Sequence, residues 1–71
     1  MSEEKYLIEL GKKIRHKRQE KKLSLDKLAL LCDVEKANLS RIESGKTNFT
    51  VLTLRKISVV LFTHPSELFL D

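Results

Sequence analysis

Lys36, Ala37, Ser40 and Arg41 recur at intervals of one, three and one. In a helix Ala37, Ser40 and Arg41 fall on the side opposite Leu39 and Ile42, with Lys36 at its margin. Two cations, a hydroxyl and a bare methyl are side chains suited to the edges of base pairs. An arginine forks onto guanine O6 and N7, a contact worth about 1–3 kcal/mol of discrimination, and a methyl meets the thymine C5-methyl group. Lys36 can reach a guanine or a phosphate. For Arg41 the competing role is a solvated surface arginine or an ion pair with Glu43 or another neighbour.

Affinity for such a polyanion comes from phosphates, whose neutralisation releases counterions. Lys17, Asn38 and Lys46 are the candidates for those contacts, helped by backbone N–H groups at helix starts. Lys17 belongs to a basic stretch with Lys12, Lys13, Arg15, Arg18, Lys21 and Lys22, opposed only by Glu20. Most of a charge run is a solvated face, so one or two of these residues are expected to meet the ligand. No catalytic or metal constellation competes with this. His16, His64 and Cys32 do not stand at metal-ligand spacing, and neither Gly11 nor Gly45 begins a phosphate-cradling loop, so no enzyme, cofactor or metal is expected.

The elements that must hold these side chains are short helices. Ser2 caps a first helix reaching about Lys21, with Leu7, Leu10 and Ile14 inward. Ser24 caps a second helix to Cys32, with Leu25, Leu28, Ala29 and Cys32 on its inner face. The tight joint Cys32-Asp33-Val34-Glu35 then leads into a third helix, from about Glu35 or Lys36 to Ser44, that Gly45 terminates. Two helices fixed across so short a turn make a helix-turn-helix, spanning about residues 24–44, whose second helix can enter a DNA major groove. Thr50 caps a fourth helix to about Leu61, with Leu54, Ile57 and Leu61 inward. Pro65 marks a short fifth, capped by His64 and ending near Phe69.

The bulk numbers agree with one small all-α domain over residues 1–71. A chain with 41% hydrophobic and 34% charged residues is globular rather than disordered, and only two glycines and one proline interrupt its three-and-four periodicity. The net charge of +4 suits a polyanionic partner. A lone Cys32 forms no internal disulfide and is expected as a small core residue rather than a redox switch. No leader or membrane-spanning run is evident, so the cytoplasm is the expected location.

Three stretches, IRHKRQEKKLSLDKLA, ANLSRIESGK and LRKISVVLFTHPSELF, together resemble the Cro/phage-repressor (xenobiotic-response-element type) family of helix-turn-helix regulators. The resemblance covers nearly the whole chain. It implies a λ-repressor-like bundle of five short helices that binds double-stranded DNA, commonly as a dimer on a two-fold operator. It also implies a partly buried ion pair between Arg18 and Glu43. Four positions depart from the family pattern. Leu25 replaces a phosphate-gripping glutamine, Asp33 a turn glycine, Glu35 a capping Ser or Thr, and Phe62 a glycine after the fourth helix.

Two readings of function follow. The first is a sequence-specific regulator of transcription, with a prophage, a host gene or a restriction–modification operon as its target. The second is an antitoxin-like or adaptor protein whose main partner is another protein, suggested by Leu25, Glu35 and the outward Leu30 and Leu31. Those two leucines are expected either beneath the chain's own ends or at a partner surface. Phe62, Phe69 and Leu70 likewise either close the domain's own core or form a homodimer contact.

Overall fold

The computed structural model describes residues 2–62, and all structural statements concern these. Four helices and no strand occur among the described residues: α1 (Glu3–Glu20), α2 (Leu25–Cys32), α3 (Lys36–Ser44) and α4 (Val51–Leu61). The fifth helix expected at Pro65, with its His64 cap, lies outside the described residues, as do Phe69 and Leu70.

Three of the four helices start on a hydroxyl that satisfies an otherwise unpaired backbone donor. Ser2 accepts from Lys5 N–H at 3.2 Å, Ser24 from Lys27 N–H at 3.0 Å, and Thr50 from Thr53 N–H at 3.2 Å. The exception is α3, whose cap residue Glu35 makes no side-chain capping bond.

The first three helices also end alike. Leu23 N–H returns to Arg18 O at 3.1 Å, Val34 N–H to Ala29 O at 3.0 Å, and Lys46 N–H to Arg41 O at 3.0 Å. Each return passes through one left-handed residue, as a Schellman closure requires. Those residues are Lys22 (φ 58°), Asp33 (φ 56°) and Gly45 (φ 73°). Asp33 thus takes the left-handed conformation expected at the helix-turn-helix joint, because a short polar side chain tolerates it. Lys22 was not anticipated, and its closure ends α1 at Glu20, one residue before the expected limit.

Leu10 and Ile14 of α1, Leu28, Ala29 and Cys32 of α2, Leu39 and Ile42 of α3, and Ile57 and Leu61 of α4 form the core. Leu25 and Leu54 pack partly buried at its edge. Phe62 joins the core at 8% exposure, in extended backbone at φ −121°. It does not imitate the left-handed glycine that it replaces; α4 simply ends there and turns its ring inward. Closing the domain's own core is one of the two roles expected of it. Leu30 and Leu31, by contrast, are 73% and 49% exposed.

The α1–α3 packing determines how α3 is presented. A Cβ on Gly11 would stand 2.5 Å from the carbonyl oxygens of Ile42 and Glu43. At Gly45 the same atom would lie 2.6 Å from the Ile8 Cα. Both glycines of the chain therefore permit backbone approach between the same two helices, which no side chain would allow.

Candidate nucleic-acid interface

The inner half of α3 is committed to the core through Leu39 and Ile42, which are 0% and 1% exposed. Its outer half is thereby turned to solvent: Lys36, Ala37, Ser40 and Arg41 are all exposed, and Asn38 is half-buried beside them. Ala37, Ser40 and Arg41 thus share one open face, with Lys36 at its margin. Arg41 and Ala37 border a shallow polar groove with Asn38, Glu35 and, from α4, Thr53 and Lys56.

The ion pair implied by the family resemblance is present in the structure. Arg18 Nε donates to Glu43 Oε2 at 2.8 Å and Nη2 to Oε1 at 3.1 Å. A third bond, from Nη1 to Leu23 O at 2.9 Å, ties in the link between α1 and α2. The side chains are 13% and 8% exposed, so the arrangement is a largely dry, forked pair rather than a surface contact. Glu43 lies in the last turn of α3, where the helix dipole disfavours a negative charge, and Arg18 offsets that.

Occupying Glu43 in this way leaves Arg41 alone. Its guanidinium has no protein partner among the described residues, so the donors that could fork onto a base are unspent. Lys36 differs, since its Nζ lies 3.0 Å from Asp26 Oδ1 in the first turn of α2.

The phosphate candidates separate. Lys46 is exposed directly after α3, and its backbone N–H closes that helix on Arg41 O. Lys17 is turned elsewhere: its Nζ is 3.4 Å from Glu20 Oε1 and 6.0 Å from the centre of the Phe62 ring. The structure brings it to the end of α4, among Lys13, His16 and Glu20, and not to the α3 face.

Three residues of the site were not singled out from sequence. Asp26 pairs with Lys36, Gly11 admits α3 against α1, and Lys56 lies beside the Asp33 turn, with Nζ 3.5 Å from its carbonyl and 3.9 Å from its carboxylate. Sequence spacing gives no signal for them, because each depends on the angle between two helices.

Cys32 is 3% exposed, and burial pushes its thiol from 9.0 up to about 11. A thiol so placed is a poor nucleophile. Among the described residues no group of His, Cys, Asp and Glu could hold a metal ion, and no helix is long and apolar enough to cross a membrane.

An outward helix joined to its predecessor across a tight turn, and locked from behind by an ion pair and two glycines, defines a helix-turn-helix protein. The family described as Helix-turn-helix matches residues 14–68, and the chain belongs to it. It is similar to the control protein C.MunI of a Mycoplasma species, 40% identical over 65 residues that cover 90% of this chain and 88% of that one. It is also similar to the crystal structure of the restriction-modification controller protein C.AhdI from Aeromonas hydrophila. The TM-score is 0.85 at 30% identity, over 89% of this chain and 96% of the other. The chain is accordingly a DNA-binding transcription regulator and not an enzyme, and these relatives do not favour the protein-adaptor alternative.

Proposed function

We propose that this chain controls a restriction–modification operon, reading double-stranded DNA with α3 in the major groove. The observation that carries the groove assignment is the outer face of α3, where Arg41 stands exposed without a protein partner among the described residues. The names of the two relatives, a control protein and a restriction-modification controller, supply the operon. In this reading Lys36, Ala37, Ser40 and Arg41 meet base edges, while Asn38 and Lys46 meet phosphates. Lys17 contributes a phosphate contact only by leaving Glu20 and the Phe62 ring.

A two-fold dimer would place two copies of α3 about 34 Å apart, one helical turn of DNA, and so match a palindromic operator. With Phe62 buried, the apolar surface for a second copy comes instead from Leu31 on α2 and Leu52 and Val59 on α4. These line one shallow groove and are 49%, 62% and 71% exposed.

Fluorescence-anisotropy titration tests the function, using the DNA upstream of the chain's own gene against a scrambled duplex at two salt concentrations. Tight, sequence-dependent binding with a steep salt slope is expected. Equal and weak binding to both, together with failure to select any duplex from a random pool, would overturn the proposal. Sedimentation of the wild type and of Val59→Glu tests the dimer: the substitution should leave a folded monomer.

A further inference from the structure

We propose that Asp26 is a positioning residue for specificity: by holding the Lys36 ammonium, it keeps that cation on base edges and off the phosphates. The proposal rests on the assignment of α3 as the reading helix.

Lys36 is the first residue of α3, and at that place its side chain has a choice. A lysine is a compact charge on a flexible four-carbon stem, and the phosphates that flank a groove attract it from any direction. Left to itself, it would settle on phosphate and add affinity for every sequence alike. The structure instead places its Nζ 3.0 Å from Asp26 Oδ1, on the neighbouring helix. Asp26 sits in the first turn of α2, where the helix dipole favours its carboxylate. Because the two helices are fixed across the Asp33 joint, the carboxylate is an anchor of known position, and the lysine is the partner that moves.

The two side chains are 59% and 72% exposed, so in water the pair contributes little to folding. On a duplex the balance changes, since excluding water strengthens the pair and brings Asp26 toward the phosphates that it repels. An ammonium already balanced by a carboxylate also releases no counterion, so Lys36 adds discrimination without adding to the salt slope. Arg41, without such an anchor among the described residues, shows the contrast on the same helix.

The test is a double-mutant cycle on the full chain: wild type, Asp26→Asn, Lys36→Met and the double variant. Each is titrated by anisotropy against a duplex that the wild type selects from a randomised pool, and against a scrambled duplex of equal composition. Salt is varied between about 50 and 200 mM. Asp26→Asn should bind the scrambled duplex more tightly, with a slope steeper by about 0.9 for each phosphate that Lys36 gains. Its preference for the selected duplex should fall at least about fivefold, the lower end of what one base contact supplies. Asp26→Glu, which keeps the charge, should restore most of that preference. In the Lys36→Met background, Asp26→Asn should change neither slope nor preference. Equal effects in both backgrounds would show that the carboxylate acts through its own field and would overturn the proposal. So would an Asp26→Asn protein that binds like wild type. A wild type that selects no duplex at all would instead strike the reading function itself, and the proposal with it.

Discussion

Arg18 and Glu43, which face each other across the α1–α3 packing, share two hydrogen bonds of 2.8 and 3.1 Å in a nearly dry setting. The third donor of the same guanidinium holds Leu23 O, so one side chain joins α1, the following link and the end of α3. The angle at which α3 meets a ligand is thus set from behind, by residues that do not face it.

Removing one partner of such a pair leaves the other buried and uncompensated, at a cost of about 3–5 kcal/mol. Glu43→Ala should therefore lower the urea midpoint far more than Glu9→Ala, whose carboxylate forms an exposed pair with Lys12. Equal midpoints would mean that the Arg18 fork is not what holds α3.

Gly11→Ala should be nearly as damaging, although it adds a single methyl. The new Cβ would meet two backbone carbonyls, which cannot rotate aside, and overpacking of this kind costs about 1–3 kcal/mol. Thermal melting reads the loss. Binding to a selected duplex should weaken as well, because relief requires α3 to move away from α1.

Arg41→Ala and Lys46→Ala should separate sequence reading from backbone attraction. The first should relax preference at one base pair per half-site by about 1–3 kcal/mol while leaving stability unchanged. The second should weaken all duplexes alike and reduce the salt slope by about one. If both bind as wild type does, the outer face of α3 is not the contact surface.

Cys32 gives the fold an alkaline limit. Its thiol titrates near 11 in the folded chain against an ordinary 9.0, so above pH 9 the unfolded chain loses its proton first and is favoured. The contribution is intact below pH 9 and lost as pH rises through about 11. At pH 10.5 the wild type should have lost more stability, relative to pH 8, than Cys32→Ala. Alkylation of the native thiol at pH 8 should also be slow.

Much of this was legible in the sequence because it is local. Ser2, Ser24 and Thr50 announce helix starts by their hydroxyls, Gly45 announces an end, and the Leu39–Ile42 spacing alone turns Arg41 outward. Arg18 and Glu43 were legible only through a resemblance, since a link between two helices has no signature in spacing. Asp26, Gly11 and the turn of Lys17 toward Phe62 were hidden for the same reason. Each depends on where two helices meet, which is settled by the packing of the whole core. Phe62 was open to two readings because apolar side chains serve a core and an interface equally well.

The commitment of both glycines to the α1–α3 approach divides α3 lengthwise into halves under different constraint. Substitutions on the inward half disturb the scaffold, whereas Ala37, Ser40 and Arg41 are exposed. In the proposed reading, new operators can therefore be explored by drift on the outward half while the frame stays unchanged. Paralogous regulators in one cell could diverge in target in this way without first losing their fold.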